Sequence, residues 1–284
     1  MENHNTSEHH TEIWETMNDT NKSLKETTRQ GISSLETGLR ILKIISESPA
    51  APNLKMLSDQ LDMSSSLLHK YLVSLLRMDF IKQVNNSRYE LSTQSLTLGI
   101  SAIRRIDPIQ LTIDAATHLQ SYTDKTVSVT IWNGQFPLVI HWLDSSRPVS
   151  VNVRLGTQLS PFFSASGRLF LAHLPLNRRY KLIENFYTNP IALPRHQGKL
   201  LDKSSFIEHL EIIKDNNYCS FYGDFLPDIN VVSSAVFDLN GKIPTVISLM
   251  GMAGDTPVEE GCDFHKFTLQ IAESVTRRLC GRDG

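Results

Sequence analysis

The 284-residue chain has few cysteines, no long apolar run, and no acid in its most regular helical stretch. Cys219, Cys262 and Cys280 are odd in number and lack the short pairwise spacings of a zinc site or redox pair. They read as reduced thiols, and no metal is expected. No stretch approaches the roughly 20 apolar residues that span a bilayer, and the polar, acidic N-terminus lacks the apolar core of a signal peptide. A cytoplasmic protein without membrane contact is therefore expected. The sequence also lacks a phosphate-binding glycine loop, a metal-ligand motif and a G-x-S-x-G elbow, so it carries no local signature of an enzyme and implies no cofactor.

What is present begins with the placement of charge. The formal net charge of −2 is distributed as −3 over residues 1–31, +3 over 32–106 and −2 over 107–284. Inside the basic segment, Met63 to Met78 contains no acidic residue, an absence that a phosphate backbone would select. At about 100 to 200 residues per domain, the length allows two domains and a tail. Residues 1–31 are rich in Asn, Thr, Glu and His, with too few larger apolar side chains to offset chain entropy, and predict a disordered tail. His4, His9 and His10 read there as solvated side chains.

Ser33-Ser-Leu-Glu36 has the spacing of a capping box, and Leu35, Leu39, Leu42 and Ile45 make a helical stripe ended by Ser48-Pro49. Leu54, Leu57 and Leu61 mark a second helix, and Asp62 to Ser64 form a short break. A third helix then carries Leu68, Leu72 and Leu75 on one face and Ser66, Lys70, Val73 and Arg77 on the other. Helix, helix, tight turn and helix is the helix-turn-helix order. Phe80 to Val84 and Arg88 to Leu91, joined by Asn85 to Ser87, read as a hairpin wing. Residues 32–91 are thus predicted to be a winged helix-turn-helix. Ser65, Ser66, His69, Lys70 and Arg77 would face DNA, and Lys82 and Arg88 would flank the wing tip.

Residues 92–106 predict a linker helix through Leu96, Ile100 and Ile103. The second domain, 107–284, restarts at Asp107-Pro108, where Gln110 completes a second capping box for a helix to about Tyr122. Strands are expected at Val127 to Ile131, Leu138 to Trp142 and Val149 to Leu155, with Asn133-Gly134 turning the first into the second. Helices follow near Ser166, over Arg178 to Phe186, and through Phe206, Leu210 and Ile213. Val231 to Phe237 and Ile243 to Met250 then flank the hairpin signal Asn240-Gly241, and Thr256 to Glu259 box a last helix with Phe264, Phe267, Ile271 and Val275. This mixture predicts an α+β fold with an antiparallel sheet.

Several short motifs, in order, resemble the IclR family of bacterial transcriptional regulators over about residues 33–281. They include Leu54-Lys-Met-Leu57, Arg88-Tyr-Glu-Leu91 before Leu98-Gly99, Leu155-Gly-Thr-Gln-Leu159 leading into Ser164-Ala-Ser-Gly-Arg168, and Arg278-Leu-Cys-Gly281. The resemblance implies a winged helix-turn-helix joined to a ligand-sensing domain, and a homodimer or dimer of dimers on a double-stranded DNA operator. It also implies an effector cavity lined by Phe163, Ser164, Ala165, Ser166, Asp224, Val231, Ser248 and Met250. Lys70 stands where the family usually has Arg, and Asp79 where a glycine usually ends the recognition helix. Val231 and Met250 stand where many relatives have Cys and Ser, which makes the cavity less polar. The expected function is a regulator, not an enzyme, that controls a catabolic operon in response to a small organic acid with more apolar surface than a keto-acid, such as an aromatic acid. Two alternatives are a winged helix used only for protein contacts, and a hydrolase using Ser164 and His141 with Asp144, or Cys219 as nucleophile.

Overall fold

A computed structural model describes residues 31–103, 105–147, 152–224 and 226–281. Residues 1–30 of the expected tail, and Val149 and Val151 of an expected strand, lie outside them. The described residues fall into two compact units that part after Ser101. Among them, no helix is long and apolar enough to cross a membrane.

In the first unit, α1 (Ser33–Glu47), α2 (Leu54–Leu61) and α3 (Ser65–Arg77) enclose Ile41, Ile45, Leu57, Leu68 and Leu72. The hairpin β1 (Ile81–Val84) and β2 (Arg88–Leu91) closes this core with Ile81 and Tyr89. Asn53 caps α2 by accepting from the Met56 amide, and Asp62 ends it in the left-handed region at φ 49°. Ser64 then caps α3. These local devices set the turn between the two helices.

Two expectations for α1 do not hold. Ile32 occupies its N-cap position and no side chain caps it, so Ser33 and Glu36 form no box. Leu35 and Leu39 are 59% and 57% exposed, because the first two turns of α1 run past the small core that Ile41 and Ile45 fill. The helix α4 (Thr93–Ile103) follows the wing.

In the second unit, Asp107 caps α5 (Pro108–Thr123) through the Ile109 and Gln110 amides, while the Gln110 side chain turns to Asp114 instead of closing a box. The antiparallel sheet has the order β4 (Pro137–Leu143), β3 (Thr126–Trp132), β9 (Thr245–Met252), β8 (Ile229–Val236), β7 (Tyr218–Tyr222). The helices α5 and α9 (Asp263–Leu279) pack on one face with Val127, Val129, Val232 and Leu249. On the other lie α6 (Ala165–His173), α7 (Leu176–Thr188) and α8 (Lys203–Asn216), against Cys219, Phe221, Ala235 and Val246. Alternation along β3 therefore separates two buried faces, since Ser128 and Thr130 are as buried as Val127 and Val129.

Two further expectations are corrected in this unit. Val153 and Leu155 lie in irregular backbone, and the chain just after them meets β4 around the isolated bridge Leu138–Gln158, where the Gly156 and Leu159 amides donate to the Val139 and Pro137 carbonyls and the Val139 amide to the Thr157 carbonyl. The last helix starts at Asp263, not Thr256; Thr256 is wholly buried, and its carbonyl accepts from the Asn230 side-chain Nδ2 at 3.0 Å. The strand β7 and the two-residue pair β5 (Arg195–His196) and β6 (Lys199–Leu200) carry no signal that the sequence pattern had marked.

Candidate functional site

On α3, Leu68 and Leu72 face the core, which leaves Ser65, Ser66, His69, Lys70 and Arg77 exposed on the remaining surface. Lys70 and Arg77 form no ion pair with any described residue, so both charges are free for an anion. The wing cations differ. Lys82 lies 3.5 Å from Glu90 across the hairpin, and the Arg88 guanidinium donates to the Ala51 carbonyl at 2.6 Å. Both are already engaged within the unit. Asp79 follows α3 in the left-handed region at φ 57°. Its carboxylate accepts from the Ser92 hydroxyl at 2.7 Å and its carbonyl from the Gln94 amide at 3.2 Å. The unusual acid thus ties the end of the helix to the start of α4.

In the second unit a cleft, partly open to solvent, lies between the sheet and the first turn of α6. Six of the eight residues expected in an effector cavity line it: Ser164, Ala165, Ser166, Val231, Ser248 and Met250. The sequence reading missed Ser128, Trp142, Phe221, Leu226, Ile229 and Ser233. Of these, Ser128, Trp142 and Ser233 fall in strands that the sequence marks, but alternation alone does not say which face meets a cavity. Among the described residues, no charged side chain lines the cleft. Phe163 instead packs edge-on against Phe186.

Ser164 is the N-cap of α6: its hydroxyl accepts from the Gly167 amide at 3.1 Å and donates to the Ser160 carbonyl at 2.7 Å. A Cβ at Gly167 would overlap that same carbonyl, so glycine permits the close approach of the turn. Ala165 and Ser166, the first two residues of α6, line the cleft, and their amides have no hydrogen-bond partner among the described residues.

Asp224 does not line the cleft. Its buried carboxylate accepts from the Gln197 and Gly198 amides, each at 3.1 Å, and so holds the turn between β5 and β6. His196 stands 4.0 Å from it and stacks on His209 with ring centroids 4.2 Å apart. His209 Nε2 meets the buried Arg168 guanidinium at 3.1 Å. Guanidinium can only donate, so this imidazole is neutral with its proton on Nδ1. Burial, then the charge of Arg168, pushes the His209 pKa down to about 3. Arg168 also donates to the Phe162 and Arg195 carbonyls, which pins α6 to the loops around it.

The residues weighed for hydrolysis do not assemble. His141 stands opposite Val129 and so faces away from the cleft that Ser164 lines. Asp144 accepts from the Trp142 indole. The Cys219 thiol is buried, which pushes its pKa up to about 12 and keeps it protonated. Among the described residues, no group of three or more His, Cys, Asp or Glu is placed to hold a metal.

A family model for the IclR helix-turn-helix domain matches residues 34–85, and one for the bacterial transcriptional regulator IclR C-terminal domain matches residues 100–277. The chain is similar to the HTH-type transcriptional repressor AllR of Salmonella typhimurium, with 23% identity over 229 residues, 80% of this chain and 82% of that one. It is also similar to AllR of Escherichia coli K12, with 23% identity over 78% of this chain and 81% of that one. Among solved structures, Pseudomonas aeruginosa HmgR shares the fold at a TM-score of 0.77 and 24% identity, over 89% of this chain and all of that one. The Agrobacterium tumefaciens repressor BlcR does so at 0.72 and 18% identity, over 89% and 99%. The two family models together cover most of the sequence, in the order of the two folded units, and the chain belongs to the IclR family of bacterial transcriptional regulators.

Proposed function

We propose that the protein binds an operator as a homodimer, or a dimer of dimers, and changes its hold on that DNA when a small organic acid with appreciable apolar surface enters the cleft of the second unit. The observation that carries the DNA contact is the solvent face of α3, where Lys70 and Arg77 stand unpaired beside Ser65, Ser66 and His69. Hydroxyls near the helix start suit phosphate or base edges, and the cations suit phosphate or guanine. Lys82 and Arg88 would add to the wing contact only by leaving their present partners.

For the ligand, the Ala165 and Ser166 amides favour a carboxylate, while Val231 and Met250 with Trp142, Leu226 and Ile229 offer apolar surface. This supports an aromatic acid over a small keto-acid. The relatives AllR and BlcR are named as repressors, which supports repression, here of a neighbouring catabolic operon. One winged helix has a small footprint, so two half-sites are read by two copies. The ligand then acts by its differential affinity for two arrangements of the paired recognition helices, a coupling of about 1–3 kcal/mol in typical cases.

An anisotropy titration of the DNA upstream of the gene, with and without benzoate or phenylacetate, tests the whole proposal. A sequence-specific complex whose affinity shifts with acid is expected. Absence of specific binding would leave the winged helix as a protein-contact module. A thermal-shift series separates the ligand classes, because a ligand that binds only the folded state stabilises it. Stabilisation by pyruvate or glyoxylate alone would overturn the aromatic assignment.

A further inference from the structure

Trp142, Ser128, Ser248 and Ser233 stand directly opposite one another across β4, β3, β9 and β8. Opposed residues in a sheet share a face, and all four line the cleft. Three of them have their polar groups engaged. The Ser233 and Ser248 hydroxyls share a hydrogen bond at 2.7 Å, and the Trp142 indole donates to Asp144 at 2.8 Å. Ser128 is the exception. It is 2% exposed, it lines the cleft, and its hydroxyl makes no hydrogen bond to a described residue.

Across the cleft, the Ser166 side chain is 3% exposed and has no hydrogen-bond partner among the described residues either. It stands beside the free first-turn amides of α6. The cleft therefore carries two separated sets of unused polar groups, one on each wall, with apolar side chains between them. A buried hydroxyl left without a partner is destabilising unless water or a ligand supplies one.

We propose that Ser128 sets which acids the cleft accepts: its hydroxyl binds a hydroxyl or oxo oxygen that a carboxylic acid, held by its carboxylate at the first turn of α6, presents to β3. The assignment rests on the acid-binding role given to the cleft above. A site that hydrogen-bonds a ligand oxygen discriminates strongly against the analogue lacking it, because the site's own group is then left unpaired.

The test is isothermal titration of full-length wild type and Ser128→Ala with matched acids that differ by one oxygen: 4-hydroxyphenylacetate or mandelate against phenylacetate, and pyruvate against propionate. Wild type is expected to bind the oxygenated member of at least one pair tenfold or more tightly. Ser128→Ala should bind both members of that pair with the affinity wild type has for the deoxy acid. Its ligand-free melting temperature should be equal to or above that of wild type, since no native bond is removed. A purely structural serine would instead lower both affinities and the melting temperature together. An oxygen preference retained in Ser128→Ala, or absent from wild type while the deoxy acids bind, overturns the role of Ser128. Failure of every acid to bind wild type overturns the acid-binding role of the cleft, and that of Ser128 with it.

Discussion

Lys70 and Arg88 are both cations on the winged helix, but their charges are committed differently. Lys70 is exposed and unpaired, whereas the Arg88 guanidinium is held by the Ala51 carbonyl. Lys70→Ala should therefore weaken operator binding by about 1–3 kcal/mol without altering the folded unit. The salt dependence then identifies the contact: a phosphate contact gives an equal loss on any sequence with a reduced salt slope, and a base contact gives a loss confined to the operator. Arg88→Ala should lower the unfolding free energy by about 1–2 kcal/mol and leave the salt slope unchanged, as read by urea unfolding and anisotropy. In the second unit, His209 makes stability depend on pH. Its unfolded imidazole takes up a proton near the ordinary value of about 6.5 and its folded one only near 3, so between those values the unfolded state holds the extra proton. Stability is then complete above about pH 6.5 and falls as pH drops towards 3, by up to about 1.4 kcal/mol per pH unit from this group. His209→Gln, which still offers Arg168 an acceptor, should flatten that slope in urea titrations from pH 7 to 4; an unchanged slope would remove His209 as its source.

Among the elements, the junction from α3 to α4 rests on Asp79. A left-handed φ favours glycine, but the Asp79 carboxylate recovers part of the cost through its bond to Ser92. Asp79→Ala keeps the strain and loses the bond, and should destabilise the first unit by about 1–2 kcal/mol; Asp79→Gly relieves the strain while losing the same bond, and should be nearly neutral in the same unfolding experiment. Legibility in the sequence followed the strength of local signals. The segment Leu54 to Leu91 was readable because its caps, turn and wing are set by neighbours in sequence, such as Asn53, Asp62 and Ser64. The pair β8 and β9 was readable from Asn240-Gly241, where the Asp238 carboxylate gathers the Asn240 and Lys242 amides. The strand β7 was not, because it is only five residues long and is fixed by pairing with β8 rather than by its own pattern. The box at Thr256 failed because tertiary burial claims that residue before a helix can use it. The cleft was legible in part: the glycine-bearing turn at Ser164 to Gly167 announces itself, whereas the role of Ser128 depends on a register across three strands.

At the scale of the whole molecule, the unfilled faces of α1 and α4 argue for pairing. Ile32, Leu35 and Leu39 are 57–68% exposed, Leu96 and Leu98 are 63% and 56% exposed, and Thr93 to Ile103 contains no charged side chain. Apolar helix surface of this kind is normally covered, and a second copy would cover it while bringing two recognition helices to one operator. Leu39→Glu with Leu96→Glu places charges on both faces without touching the core of either unit. Sedimentation should then fall from the dimer or a larger species to the single-chain mass of 32.1 kDa, and operator affinity should drop at least a hundredfold as one half-site is lost. The second unit should keep its melting temperature and its affinity for the acid. Yet the acid should no longer change DNA affinity, because a ligand shifts an equilibrium only where two arrangements exist to be distinguished, and an unpaired chain has no partner helix to rearrange. A wild type that sediments as a single chain with full operator affinity would overturn pairing itself, and a double variant that remains paired and regulated would place the interface elsewhere.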